Sequence, residues 1–300
     1  MSIAYIVNPA SQNGATGRDW PAFSARLPGA SRTYKTTRPN EASDLAVQAA
    51  KDGATVVASV GGDGTLSEVV TGLMRLPQAE RPALALVPRG TGGDFRKTLG
   101  YPQDVAGVAV ILARGRSRAV DVGRVTFTNA AGEEQQRHFM NIASFGLSGV
   151  VDRAVNSQSK ALGGKASFFI GGLQGILSFD SVPCELSLDD GPFEAHDAML
   201  VAACNGRVFG GGMFVAPTAD PGDGELEIVV WPRMSGASKY SNLLKIYSGA
   251  HLGVPGVSYR SAKKMVARSS AEALIDVDGE QLGRLPMTVE VVPGALRIVC

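Results

Sequence analysis

Hydrophobic and polar residues follow a repeated order along the first third of the chain. Apolar runs such as IAYIV, TVVASV and ALALV are each followed by a glycine-rich or polar loop and then by a stretch of helical spacing. After the loop GGDGT, for example, Leu66, Val69, Val70 and Leu73 recur at intervals of three or four residues. Strand, loop and helix in repeated order predict a parallel α/β sheet.

From about residue 121 the pattern changes to short β-like runs separated by turn residues, with one helical stretch over roughly residues 156–178. This pattern predicts a β-sandwich-like second domain. We therefore expect a chain of α/β plus all-β class, with an α/β domain over residues 1–122 and a β-sandwich over residues 123–291. From its own pattern, the last run, ALRIVC, could return to either domain.

Composition supports a folded protein without a strong charge bias. The 300 residues are 44% hydrophobic and 19% charged, with a formal net charge of +1, so nothing favours a nucleic-acid partner. Three cysteines without metal or redox spacing predict free, buried thiols in a reducing compartment. Because no window approaches ~20 continuous apolar residues and the first residues lack the features of a signal peptide, we expect a cytoplasmic protein.

Two glycine loops stand between predicted strands and helices, at residues 61–65 (GGDGT) and 88–94 (PRGTGGD). Unpaired N–H groups at the positive end of a helix suit a phosphate group. Neither loop is a Walker A or G-x-G-x-x-G sequence. Each carries an acid, Asp63 or Asp94, which suits a site where a divalent cation lies between acid and phosphate, or where an acid helps to deprotonate a hydroxyl. The loops favour phosphoryl transfer over a bare strand–helix turn, which is the plain alternative.

A set of motifs resembles the catalytic-domain family of diacylglycerol kinases, which also includes sphingosine and ceramide kinases. The motifs reach across nearly the whole chain and are VNPASQNG (7–14), GGDGTLSEVVTGL (61–73), PRGTGGDF (88–95), CNGRVFGGGMFVAPTADPGDGELEI (204–228) and DVDGE (276–280). GGDGT alone is shared with NAD kinases, so the combination carries the resemblance. It implies a Rossmann-like nucleotide-binding domain, a β-sandwich, an active site in the cleft between them, and a return of residues 292–300 to the first domain.

The resemblance also implies roles for particular residues with ATP and Mg²⁺. Asp63 and Asp94 would organise the catalytic Mg²⁺. Glu280, with Asp278 as its competitor, would be the general base that takes the proton of a lipid hydroxyl. Contacts to ATP and its phosphates would come from Asn8, Pro9, Thr36, Gly61, Gly62, Asp63, Gly64, Thr65, Leu66, Ser67, Glu68, Gly90, Thr91 and Asp94.

A second, structural Mg²⁺ site is implied at the loop DPGDGELE. Asp220, Asp223 and the backbone carbonyl of Glu225 match the family's positions, and clustered oxygens suit a hard cation. A solvated acidic turn is the alternative there. Similarly, DVDGE could be no more than a hairpin turn, because Asp-Gly is a strong turn signal.

Two departures from the family pattern concern charge and hydrogen bonding. Gly93 stands where the family usually has Asn, which removes one amide that could orient Asp94 or a phosphate. The first loop also lacks the lysine that often follows its Ser-Gly. The candidates to supply that charge, each of which could equally be a surface residue, are Arg18, Arg89, Arg96 and Lys97.

The leading hypothesis is an ATP- and Mg²⁺-dependent lipid kinase that phosphorylates diacylglycerol to phosphatidic acid. It would contact the membrane surface peripherally, and a homodimer is an open option. One alternative is another acceptor, either a lipid such as sphingosine or phosphatidylglycerol or a soluble molecule as in NAD kinase. The other is a regulator that binds nucleotide and has lost catalysis, an idea to which Gly93 gives slight support.

Overall fold

The computed structural model of the chain combines an N-terminal α/β region with a C-terminal β-rich region, which confirms the predicted fold class. The helical stretch expected over about residues 156–178 and the residue Thr91 both lie outside the part of the chain that the structure describes. The described residues are 1–28, 31–90, 93–129, 131–148, 179–234 and 236–300.

The first region is built on four parallel strands in the order β4-β3-β1-β2. Its elements are β1 (Ile3–Val7), α1 (Ala15–Ser24), β2 (Ser31–Lys35), α2 (Glu41–Lys51), β3 (Val56–Gly61), α3 (Asp63–Met74), a 3₁₀ turn (Gln78–Glu80), β4 (Ala83–Pro88), α4 (Asp94–Leu99) and α5 (Val105–Arg114). Both β1 and β3 are buried along their whole length, because strands covered on both faces need apolar side chains throughout. The parallel order brings the carboxyl ends of all four strands to one edge, where such sheets bind ligands.

The second region, as far as its described residues show, is an antiparallel arrangement of β-strands with one further helix. Its elements are β5 (Ser117–Thr128), β6 (Glu134–Phe139), β7 (Ile142–Gly146), β8 (Val182–Leu188), β9 (Glu194–Cys204), β10 (Leu226–Pro232), α6 (Gly236–Lys245), 3₁₀ turns (Ile246–Ser248 and Ala250–Gly253), β11 (Ser258–Ala262), β12 (Lys264–Arg268), β13 (Leu274–Val277) and β14 (Glu280–Val299). The sequence pattern did not single out α5 or α6. Within the described residues, no helix is both long enough and apolar enough to span a membrane.

Two long strands, β5 and β14, run from one region into the other and pair antiparallel over most of their length. Val120 of β5 lies in the core of the first region and Val125 in a core of the second. The end of β14 pairs in parallel with β4 through Ile298 and Leu84, so ALRIVC packs on the first region. A shared backbone ladder therefore joins the two regions, and residue 122 lies inside it.

The three cysteines are free thiols. Cys184 and Cys204 are buried as expected, and burial raises the pKa of Cys184 to about 11. The expectation of burial is wrong for Cys300, which is exposed because it follows the last strand at the chain end.

Gly72 marks the closest approach of α3 to α2, and it generates a stability prediction. A Cβ at this position would lie 2.2 Å from the backbone oxygen of Ser43. Alanine normally stabilises a helix interior by about 1 kcal/mol over glycine, but here the contact with rigid backbone reverses the sign. We expect Gly72→Ala to lower the free energy of unfolding by about 1–3 kcal/mol in urea denaturation. Gly253→Ala, where a Cβ would meet open space, is the control; equal stability of both variants would contradict the packing.

Candidate functional site

The two glycine loops cross at the carboxyl edge of the first sheet. A Cβ added to Gly90 would lie 2.6 Å from the Cα of Gly62, so this crossing needs glycine. Asp63 begins α3 and Asp94 begins α4, so two helix starts with unpaired N–H groups lie side by side. The crossing forms a small crevice lined by Ser59, Gly61, Gly62, Asp63, Leu66, Leu86, Pro88, Gly90, Gly93 and Arg96.

The loop after β1 is bonded to the GGDGT loop. Nδ2 of Asn8 donates to Oγ1 of Thr65 at 3.1 Å. The same hydroxyl lies against Gly61, where a Cβ would come within 2.4 Å of it. Thr36 follows β2, and its N–H donates to the carbonyl of Val7 at the end of β1. Asn8, Thr36 and Thr65 therefore share one edge of the sheet, as their predicted role requires.

The carboxylate of Asp63 bridges the two glycine loops. Its Oδ2 accepts the N–H groups of Gly93 at 2.9 Å and of Asp94 at 3.4 Å. Burial raises the pKa of Asp63, and the charge of Asp94 raises it further, while the two N–H groups and Lys97 lower it. Gly93 has a φ of +62°, which glycine adopts without strain. The departure from Asn therefore leaves a backbone donor in place, and that donor orients Asp63 rather than Asp94.

Asp94 is buried and joins the two regions of the molecule. Its Oδ1 accepts from Nζ of Lys97 at 2.8 Å, and its Oδ2 accepts the N–H of Gly211 at 2.7 Å. A second bond between the regions runs from the N–H of Arg207 to the hydroxyl of Thr98 at 2.9 Å. Both carboxylate oxygens of Asp94 are thus engaged by the protein. Lys97, rather than a residue of the first loop, supplies the cation beside the two acids.

Glu68 reaches from α3 to the start of α2. Its Oε1 accepts the N–H of Asn40 at 3.2 Å, and its Oε2 accepts the N–H of Ala42 at 3.0 Å. The first N–H groups of a helix have no partner within the helix, so Glu68 satisfies α2 from a neighbouring helix. Its carboxylate thus has a structural role, and its contact with a phosphate stays a prediction.

The other predicted nucleotide residues differ in accessibility. Gly64 is exposed in the first turn of α3, where its N–H is free to meet a ligand. Pro9 packs on α1, because a Cβ added to Gly17 of that helix would lie 2.9 Å from the Cβ of Pro9. Leu66 and Ser67 are buried and support the loop from beneath.

The motif DVDGE forms a tight hairpin that also presents a carboxylate. Between β13 and β14, Asp278 has a φ of +52° and Gly279 a φ of +87°, as in the favoured two-residue hairpin turns. The carboxylate of Asp278 accepts three backbone N–H groups, each at 3.0 Å, from Met140, Asn141 and Ile142. The hairpin alternative is therefore realised, and the catalytic role of the motif stays a prediction.

The two candidate bases differ in their surroundings. Burial raises the pKa of Asp278 to about 6; the three N–H groups lower it, and the charge of Asp63 raises it. This influence connects an acid of the second region with an acid of the first. Glu280 is instead 42% exposed and accepts from Nη2 of Arg137 at 2.8 Å. The carboxylate of Asp278 is therefore buried and held by backbone N–H groups, whereas that of Glu280 is partly exposed and paired with an arginine.

The loop predicted to hold a structural cation is closed by its own hydrogen bonds and an ion pair. Oδ1 of Asp220 lies 3.6 Å from Nη1 of Arg118, and Oδ1 of Asp223 accepts the N–H of Glu225 at 3.0 Å. Among the described residues, no group of three or more His, Cys, Asp or Glu side chains is arranged for a metal. The expected site uses two carboxylates and one carbonyl, and it stays a prediction.

Asp121, which the sequence analysis did not single out, fastens this loop to β14. Its two oxygens accept the N–H groups of Gly224 at 2.8 Å and of Gly294 at 2.7 Å. Its own carbonyl accepts from Nδ2 of Asn205 at 3.1 Å. An acid inside the apolar run AVDVG was the available signal, because a buried acid needs several donors.

Comparison with known proteins agrees with this geometry. Residues 2–125 match the family described as "Diacylglycerol kinase catalytic domain", and residues 141–300 match "YegS C-terminal NAD kinase beta sandwich-like domain". A diacylglycerol kinase of Staphylococcus haemolyticus is 28% identical over 284 residues, covering 94% of this chain and 82% of that protein. One of Staphylococcus aureus is 28% identical over 285 residues, covering 94% and 86%. A solved candidate diacylglycerol kinase of Bacillus anthracis has a TM-score of 0.79 at 25% identity, covering 99% and 94%.

The pair of Lys97 and Asp94 generates a prediction about stability. In Lys97→Met the buried carboxylate of Asp94 keeps its bond to Gly211 but loses its cation. Because Lys97 is only partly buried, we expect a loss of about 1–2 kcal/mol in the free energy of unfolding, measured by urea denaturation. Lys263→Met, at an exposed position, is the matched control. Equal midpoints for the two variants would show that the ion pair does not stabilise the fold.

Proposed function

We propose a substrate and a reaction for this chain, which belongs to the diacylglycerol kinase catalytic-domain family and is a lipid kinase. It transfers the γ-phosphate of ATP to the free hydroxyl of diacylglycerol. The product would be phosphatidic acid. The observation that supports this proposal most is the crossing of the two glycine loops at Gly62 and Gly90, where the carboxylate of Asp63 binds the facing loop. Phosphoryl transfer depends on positioning the phosphates and compensating their charge, and adjacent helix starts with an acid for a cation suit both tasks.

The phosphates of ATP would bind where the two glycine loops cross. Backbone N–H groups at the start of α3, including that of the exposed Gly64, face the edge at which such ligands bind. Asn8 and Thr36 would contact the remainder of the nucleotide from the ends of β1 and β2. Lys97, beside both acids, supplies positive charge for the transferred group.

The residues present fit a divalent cation at Asp63. Its Oδ2 holds the neighbouring loop, whereas its Oδ1 makes no hydrogen bond to the described residues. Mg²⁺ in kinases is usually bound by one or two carboxylates together with phosphate oxygens. Asp94 would act indirectly, because the ammonium group of Lys97 already compensates the charge of its carboxylate. When bound, the cation would neutralise charge on the phosphates during transfer.

Asp278 would be the general base, in preference to Glu280. The hydroxyl oxygen of the lipid attacks the γ-phosphorus, the bond to the bridging oxygen of ADP breaks, and the hydroxyl proton passes to the carboxylate. A pKa of about 6 leaves Asp278 mostly ionised at neutral pH while making it a stronger base than an ordinary aspartate. The three N–H groups that bind its carboxylate fix the orientation of that group.

A soluble acceptor is the second candidate. The observation behind it is that the C-terminal region matches a domain described as NAD kinase-like, so the architecture of that region does not by itself select a lipid. A lipid acceptor is favoured because the curated relatives, which cover 94% of this chain, are named diacylglycerol kinases.

A transfer assay tests the proposal directly. We expect label from γ-labelled ATP, in the presence of Mg²⁺, to enter an organic-extractable product when diacylglycerol is offered in mixed micelles. Sphingosine, phosphatidylglycerol and NAD are offered in parallel, and Asp63→Asn is the control, with an expected loss of at least about a hundredfold. Label only in an aqueous product would overturn the lipid assignment. ATP binding without transfer to any acceptor would favour the regulatory alternative.

The choice of base generates a prediction about pH. If the ionised form of Asp278 is required, kcat/KM should rise about tenfold per pH unit below pH 6 and level off above it, because the carboxylate is protonated below its pKa. Asp278→Asn should lower kcat by about 10²–10⁴-fold and abolish this limb. Glu280→Gln is the comparison, with kcat changed less than about tenfold. The opposite ranking of the two variants would return the role to Glu280.

A further inference from the structure

Three large hydrophobic side chains are exposed together beside α6, and we call them the apolar patch: Phe214, Leu244 and Tyr247. Leu244 is 71% exposed, Tyr247 55% and Phe214 39%. The N–H of Phe214 donates to the carbonyl of Ile246 at 2.8 Å, which brings the loop of Phe214 beside the turn of Tyr247. In the described part of the chain, the patch makes up half of the exposed large hydrophobic residues. The others are scattered at Met1, Val110 and Phe193.

Buried residues beneath the apolar patch hold its side chains at the surface. Ile246 between its members is buried in a core of the second region. His251 is also buried, stacks on Trp231 with ring centroids 5.2 Å apart, and bonds the carbonyl of Val215 at 3.0 Å. These contacts fix both the loop and the turn to the second region. The exposed side chains therefore belong to a packed surface. An exposed apolar patch on such a surface is typical of an interaction site.

The patch adjoins the candidate active site. The loop that carries Phe214 also carries Gly211, whose N–H is bound by Asp94. Three residues of chain span at most about 10 Å, so the backbone of Phe214, one member of the patch, lies within about that distance of Gly211 and its contact with α4. A partner bound at the patch would therefore lie beside the cleft into which a lipid hydroxyl has to be delivered.

The segment of chain that carries Leu244 and Tyr247 is basic. Residues 234–271 contain six Lys or Arg and no Asp or Glu. Arg260, Lys264 and Arg268 pair with acids of neighbouring strands, but Lys245 is exposed next to Leu244 and forms no ion pair with the described residues. Aliphatic and aromatic side chains beside an unpaired lysine are the composition that binds the interface of an anionic membrane.

We propose that the apolar patch docks on the surface of a bilayer that contains anionic lipids. Leu244 and Phe214 enter the boundary of the acyl chains, Tyr247 lies at the level of the headgroups, and Lys245 faces their negative charge. The inference rests on the proposed function, because a lipid acceptor gives the docking its purpose. Docking itself requires no transfer of phosphate, so the two can be tested separately.

Sedimentation with vesicles tests the docking. The full chain and the double variant Leu244→Ser/Tyr247→Ser are spun with vesicles of phosphatidylcholine, with and without phosphatidylglycerol. Val110→Ser, which removes an exposed hydrophobic residue of α5 outside the patch, is the control. We expect the double variant to lose about tenfold in its partition onto anionic vesicles. Lys245→Glu should weaken binding to anionic vesicles and leave binding to neutral ones unchanged.

Two results would overturn the proposal: wild-type sedimentation by the double variant, or no binding of the wild-type chain to either vesicle. Circular dichroism melting shows that each variant is folded. Transfer to a short-chain diacylglycerol below its micelle concentration is measured in parallel. If the double variant keeps that transfer and loses vesicle binding, both proposals stand. If the double variant keeps both transfer and vesicle binding, only the docking proposal fails. If neither the wild-type chain nor any variant transfers phosphate, but vesicle binding still depends on the patch, only the kinase proposal fails.

Discussion

The buried carboxylate of Asp94 is the interaction on which the geometry of the cleft depends. A buried charge is tolerated only when it is paired and hydrogen-bonded, and Asp94 obtains these partners from two regions of the chain. Lys97 comes from the same short helix, and the N–H of Gly211 comes from the loop after β9. The requirement to satisfy this one group therefore holds α4 against the second region. The bond between Arg207 and Thr98 repeats the attachment one turn further along α4.

Three acids near one another would repel, and each is compensated in a different way. Asp94 has a lysine, Asp63 has two N–H groups from the facing loop, and Asp278 has three from the start of β7. The compensation is incomplete, because the pKa of Asp63 and that of Asp278 are both raised. A cleft of this kind gains stability from any cation that arrives with its ligand. Burial, with a smaller contribution from the charge of Asp63, raises the pKa of Asp278 to about 6, which is the basis for proposing it as the general base.

Local patterns in the sequence were sufficient for the fold class and for the edge at which the site lies. Strands such as β1 and β3 are readable because both of their faces are buried, and glycine loops are readable because close approach needs them. The contact between Glu68 and Asn40 could not be read, since it joins residues 28 apart whose partnership depends on the packing of α2 on α3. The ion pair of Lys97 with Asp94 did leave a signal in the sequence, because the two residues are three positions apart on one helix. Exposed lysines that form no functional contact have the same spacing from acids, so the signal was not specific. The difference between Asp278 and Glu280 could not be read either, because their partners, residues 140–142 and Arg137, are brought to the hairpin only by the tertiary fold.

The joint between the two regions limits how the cleft can adjust to its ligands. β5 and β14 cross it as a paired ladder, and β14 changes register between Val292 and Leu296. Gly294, at that irregularity, is bound by Asp121, which also binds the loop around Gly224. Rotation of one region against the other would have to bend a hydrogen-bonded ladder at a point that is pinned by a buried acid. Adjustment is cheaper in the loops that meet across the cleft, at Gly211 and at the glycine crossing. A cation bound near Asp220 and Asp223 would therefore act on the stiffness of the joint, because Asp121 binds both this loop and Gly294.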